Sequence, residues 1–136
     1  MKKNSYTSGF LLHSNSQQIL LQQNSAEEQP TWNLLGGMSE KNFQKVVAKL
    51  LNLKLQPKAV VPVYDYSSKG KKHFISYAEV DKLSDFPASK TSLFKWFTAK
   101  EISKLPLSSQ TKQDIIVGRR VIDSQIRRDA GEQTIG

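Results

Sequence analysis

The chain has 136 residues, 38% of them hydrophobic and 24% charged, with a net charge of +8 and no cysteine. That length suits one domain, and the composition excludes an intrinsically disordered chain. Without cysteine there are no disulfides or thiolate metal sites, and no stretch reaches the roughly 18 consecutive apolar residues of a membrane helix.

In chain order, "MKKNSYTSGFLLHSNSQQ" has a basic pair but no sustained apolar region, so no signal peptide is expected. Residues 6–12 (YTSGFLL) and 18–22 (QILLQ) read as strands around a polar turn. Residues 23–31 form a loop, and "WNLL" is a short extended piece broken by Gly36-Gly37. A helix then opens at Ser39 or Glu40. Phe43, Val46, Val47, Leu50 and Leu51 recur at i, i+3, i+4, i+7 and i+8, an apolar stripe at helical period, and Pro57 bars continuation. Residues 59–66 and 73–80 are paired strands, and Pro62 marks the first as an edge strand or one with a bulge. A polar loop spans 81–92 and a strand 93–98. A short helix (AKEISKLP) ends at Pro106, and a terminal helix covers 108–130. Thr111 and Asp114 have capping-box spacing, and Asp123 is four residues from both Arg119 and Arg127. Residues 1–130 are expected to form one domain and 131–136 a flexible tail.

Charge is concentrated. Lys41, Lys45, Lys49, Lys54, Lys58, Lys69, Lys71 and Lys72 face one acid, Asp65, so this segment carries +7 of the +8. Such a patch favours phosphate-bearing partners, a nucleotide or a nucleic acid, and equally describes a solvated surface. Lys41, Lys45 and Lys49 fall four apart, along a helix face other than the apolar one. Tyr64, Tyr66, Phe74, Tyr77, Trp96 and Phe97 are able to stack a base, although strand aromatics are more often core.

The element order, "W-x-L-x-G-G" at Trp32–Gly37, Trp96-Phe97 and "EISKLP" at Glu101–Pro106 together resemble the Nudix hydrolase family over roughly Tyr6 to Ile126. The resemblance implies an α+β fold, an α/β/α sandwich with a mixed β-sheet. It also implies hydrolysis of a diphosphate linked to another moiety, with glutamates of the box G-x5-E-x7-R-E-U-x-E-E-x-G-U (U aliphatic) holding magnesium.

The box departs from this pattern. With its first glycine on Gly37 and its last aliphatic residue on Leu55, the segment is about four residues short. No carboxylate lies between Glu40 and Asp65 in any register. Magnesium needs hard oxygen ligands, which an ammonium group cannot supply. At ~4 Å and an effective dielectric of ~20, each lysine would repel a unit positive charge by about 4 kcal/mol.

The expectation is therefore a non-catalytic or weakly active Nudix-like domain that binds a nucleotide, another phosphorylated ligand or a partner macromolecule. Lys41, Lys45 and Lys49 are its phosphate-binding candidates, and Trp32, Gly36 and Gly37 border its cleft. No catalytic residue and no cofactor are assigned. The first alternative is a divergent hydrolase of a nucleoside diphosphate-linked substrate, with magnesium at a site rebuilt around Glu40, Glu79 or Asp81. Asp81 and Asp85 lie in the loop from which some relatives take a base or extra ligand, but like Glu27 and Glu28 they read more simply as ordinary loop acids. A structural or protein-interaction domain is the second alternative. A cytoplasmic, non-membrane location fits each of them.

Overall fold

The computed structural model describes residues 5–24, 30–38, 42–88 and 92–129. Six strands, β1 (Ser5–His13), β2 (Ile19–Asn24), β3 (Trp32–Met38), β4 (Val61–Ser68), β5 (Lys71–Val80) and β6 (Ser92–Phe97), form one mixed sheet in the order β4-β5-β1-β3-β2-β6. The pair β1–β5 is parallel, from Ser5↔Lys72 to His13↔Val80, and the other pairs are antiparallel. Helix α1 (Phe43–Leu51) covers one face. Helices α2 (Ala99–Ile102) and α3 (Ser109–Asp129) cover the other. This is the expected α+β sandwich with a mixed sheet.

Strand alternation sorts the apolar residues into two cores. Phe10, Leu12, Ile19, Leu21, Leu34, Ile75, Tyr77 and Phe97 pack with Ile102, Ile115 and Ile122 on the α3 side. Leu11, Leu20, Leu35 and Ala78 pack with Phe43, Val46, Val47 and Leu51 on the α1 side. At about 25 cal/mol per Å2 of apolar surface, both layers contribute heavily to stability.

The first three strands meet in an uncommon way. Early β1 pairs with β3 (Gly9↔Leu35), late β1 with β2 (Leu11↔Leu20), and β2 then pairs with β3 (Gln22↔Asn33). Three strands that are each antiparallel to the other two cannot share one flat ladder, so they diverge from a common centre. Glycines permit the approach there. A Cβ on Gly9 would lie 2.6 Å from both the Phe43 ring and the Ser76 carbonyl oxygen. Gly36 has φ +110, opposite a register shift between Thr7 and Ser8, and a Cβ there would collide with the Thr7 carbonyl oxygen.

Several sequence expectations are corrected. The strand does not break at Gly36-Gly37; it continues to Met38, with Gly36 accommodating the irregularity. Helix α1 does not approach Pro57, because Asn52 closes it at φ 53, ψ 34, its N–H bonded to the Ala48 carbonyl. Pro57 instead starts a single 3-10 turn. Thr111 is no cap: the Ser108 hydroxyl accepts from the Thr111 N–H at 3.2 Å, and the capping box lies at Thr98 and Glu101. The Pro62 reading holds twice over, since β4 is an edge strand and its register shifts between Pro62 and Tyr64.

Asp114 is buried, 5% exposed. It accepts hydrogen bonds from the Tyr64 hydroxyl and from Gln110 Nε2 (2.9 Å), tying α3 to the β4 edge. Arg119 and Asp123 do form the expected helix pair, at 3.6 Å.

Two stability predictions follow from this geometry. Gly70 also has positive φ (76), but a Cβ there meets nothing within 4 Å. Gly70→Ala should therefore cost about 1 kcal/mol for conformation alone. Gly36→Ala adds a backbone collision and should cost about 3 kcal/mol in urea unfolding. The second concerns alkaline pH. Burial, then the Asp114 hydrogen bond and charge, push the Tyr64 hydroxyl well above its ordinary 10. Burial and the Asp114 charge push Tyr66 up to about 12. A raised folded pKa means that the folded state retains protons the unfolded state has lost. Stability should therefore fall as pH climbs from 10 through 12. Asp114→Asn should flatten that fall, read from urea midpoints across the range.

Candidate functional site

Helix α1 is where the resemblance places the metal ligands. Its N-cap, Asn42, makes no side-chain cap bond, and no acid lies in its first turn. The apolar stripe turns Phe43, Val46, Val47 and Leu51 onto the sheet, leaving Lys45, Ala48 and Lys49 exposed. Lys45 lies opposite the buried stripe. Lys49, three residues after Val46, lies nearer the helix flank.

The left-handed Asn52 gives a register independent of sequence counting. The box places glycine just after its last glutamates, and a left-handed helix end is where glycine is favoured. With Asn52 at that glycine, the segment R-E-U-x-E-E falls on Lys45, Val46, Val47, Ala48, Lys49 and Leu50. Both aliphatic positions fit, Val47 and Leu53. This register ends at Leu53, two residues before the Leu55 anchor. Fifteen positions now separate Gly37 from Asn52, where the pattern has twenty-one. The shortening falls before the helix.

These residues do not fit magnesium. The three glutamate positions hold Val46, which is 0% exposed, exposed Lys49 and half-buried Leu50. None offers an oxygen. Among the described residues, no three His, Asp or Glu side chains gather where a metal could sit.

The same sheet face carries a concavity of about 230 Å3, lined by Leu20, Ser84, Asp85, Phe86, Phe94, Lys95 and Trp96. Leu20 belongs to the α1-side core, and Phe86, Phe94 and Trp96 pack against that core. Strand β6 presents Phe94 and Trp96 from one side of its pleat, and the 81–88 segment folds over them. The Trp96 indole N–H donates to the Ser84 carbonyl at 2.9 Å.

His13 braces this wall from behind. Its Nδ1 accepts from the Ser16 N–H at 3.2 Å, which leaves the proton on Nε2 to donate to the Asp81 carbonyl at 3.3 Å. The Ser14 N–H and hydroxyl both donate to the Val80 carbonyl. The His13 ring meets Trp96 edge-on, with centroids 6.3 Å apart.

Among the described residues, the sequence-expected acids do not converge. Asp85 lines the concavity. Asp81 contributes its backbone carbonyl, and its side chain is exposed. Glu79 is exposed on the opposite pleat from Ala78. Glu27, Glu28, Glu40 and Lys41 lie outside the described residues.

Trp32 lies on the face opposite the concavity. It packs on the α3-side core, edge-on to Phe97 at 4.9 Å, with its backbone N–H donating to the Pro106 carbonyl. Gly36 has both backbone groups engaged by Gln22: its N–H donates to Oε1 (3.2 Å) and its carbonyl accepts from Nε2 (3.4 Å). Gly37 continues β3. Sequence reasoning missed Leu20, Ser84, Phe86, Phe94 and Lys95. The available signal was Phe86, a single large apolar residue within a polar loop.

No protein-family model matches the chain, and no curated protein matches it by sequence. Solved structures do match. The Nudix domain of Shewanella oneidensis NrtR, complexed with ADP ribose, is similar at 15% identity and TM-score 0.69, over 90% of each chain. A MutT/nudix family protein from Enterococcus faecalis is similar at 16% identity and TM-score 0.69, over 90% of this chain and 63% of that one. The C-terminal domain of mouse MUTYH, in complex with human PCNA, is similar at 11% identity and TM-score 0.64, over 89% and 88%. The sandwich built from these two cores is the Nudix fold.

Proposed function

We propose that this Nudix-fold domain binds a nucleotide or a related phosphorylated small molecule without efficient hydrolysis. The observation that carries the reading is a division within one layer. The α1 face has an aromatic-walled concavity, while α1, packed on the same core, has no carboxylate. Phe86, Phe94 and Trp96 offer apolar and π surface to a planar ring, and Asp85 offers a hydrogen-bond acceptor at its rim. A volume of about 230 Å3 suits a ring system more than a whole nucleotide, so the phosphates would lie outside it. Lys49 is the phosphate candidate, since Lys45 points away from the sheet. The similarity to a Nudix domain complexed with ADP ribose supports a ligand of this class.

A rebuilt hydrolase has less support. Glu79 and Asp81 are both exposed, and among the described residues no three His, Asp or Glu side chains gather to give magnesium the ligand set it needs. Val46 also explains why restoring the box on this helix would be costly. A Val46→Glu carboxylate would enter a fully buried site without a partner and should destabilise the fold by about 3 kcal/mol or more, measured by urea unfolding.

Thermal unfolding with ADP ribose or ADP tests binding. The midpoint should rise by several degrees at saturating ligand, equally in EDTA and in magnesium. Asp85→Ala and Phe94→Ala should each reduce the rise, and Lys49→Ala should reduce it for phosphorylated ligands but not for adenosine. A shift that requires magnesium and comes with phosphate or nucleoside monophosphate release would establish a hydrolase instead. No shift with either ligand would reject the reading.

A further inference from the structure

A second candidate binding surface lies at the β4–β5 edge, away from the aromatic concavity. The hairpin turns at Lys69-Gly70 and continues into Lys71 and Lys72, all four exposed. Phe74, on the α1-side pleat of β5, is 37% exposed, one of few large apolar side chains left open. Lys72 Nζ lies 5.9 Å from its ring centroid and 3.5 Å from Asp65, each partner of that ion pair about half exposed.

The opposite pleat carries a cross-strand aromatic row. Tyr66 stacks on His73 at 4.8 Å and 6°, and His73 stacks on Tyr6 at 5.4 Å and 22°. The register places these three side by side, Tyr66↔His73↔Tyr6. Lys71 Nζ lies 5.3 Å from the Tyr6 ring centroid. Both faces of one basic edge therefore pair aromatic rings with lysines.

We propose that this edge binds single-stranded nucleic acid, with a base stacked on Phe74 and the flanking phosphates on Lys69, Lys71 and Lys72. Backbone phosphates need cations at intervals, and unpaired bases need an accessible π face; the edge supplies both. The row behind Phe74 fixes the hairpin so that its lysines are held rather than loosely tethered. A base landing on Phe74 displaces Lys72 from the ring, and a phosphate then replaces Asp65 as its partner. A duplex buries its base faces and gains only the charge attraction.

Fluorescence anisotropy tests the proposal with the full chain and labelled 15-mers of oligo(U) and oligo(dT), against a duplex of equal length. Single strands should bind more tightly than the duplex, and raising salt should weaken both. Phe74→Ala should weaken single-strand binding about tenfold and leave the duplex unchanged. Lys71→Gln with Lys72→Gln should lower the slope of log affinity against log salt by about two. Tighter binding of oligo(U) assigns RNA, and tighter binding of oligo(dT) assigns DNA. Circular dichroism checks that each variant remains folded. Equal affinity for duplex and single strand with no Phe74→Ala effect would mean simple polyanion attraction and overturn the proposal. So would no binding to either strand at low salt. Neither result bears on ligand binding in the concavity, which these variants do not touch.

Discussion

The contact between Gly9 and Phe43 organises this molecule. It stands where β1, β2 and β3, each antiparallel to the other two, diverge from a shared centre. Only a residue without a side chain lets the Phe43 ring settle there, with the Ser76 carbonyl closing the other side. Because Phe43 is the first residue of α1, its seat fixes where the helix begins. Val46, Val47 and Leu51 then follow onto the sheet by helical period, and the lysines turn outward by the same geometry. The concavity between β6 and the 81–88 segment lies in the same layer.

Much of the architecture was legible because it depends on local periodicity. The stripe from Phe43 to Leu51 has one helical reading, and Pro62 restricts its strand to an edge or a bulge. Less legible were features set by distant partners. Nothing near Gly36 shows that the strand continues through it, because the reason is an irregularity in β1. Asp114 has the spacing of a cap residue, yet its partner Tyr64 is fifty positions away. Trp32 was placed by a family pattern rather than by its pleat, and the pleat puts it on the α3 side.

The candidate site was legible mainly in what it lacks. The absence of acids between Glu40 and Asp65 is a fact of composition that no register alters. The concavity draws on β2, the 81–88 segment and β6, whose closeness arises only from the strand order. Asp85 was named among several acids, and sequence gave no ground for choosing it over Asp81. The structure separates them: Asp85 lines the wall, whereas Asp81 offers its backbone carbonyl to His13.

The division into two cores has one more consequence. The chain has two tryptophans, and each serves a different layer: Trp32 packs with Phe97 on the α3 side, and Trp96 packs on the α1 side. Their settings also differ: Trp96 meets the His13 ring and its indole N–H is bonded to the Ser84 carbonyl, while Trp32 rests edge-on against Phe97. The protein thus contains one intrinsic optical probe for each half of the sandwich. Emission from Trp32 follows the layer that holds the long helix, and emission from Trp96 follows the layer that holds the concavity. Whether the two halves melt as one cooperative unit or in sequence is written in the coincidence of those two signals.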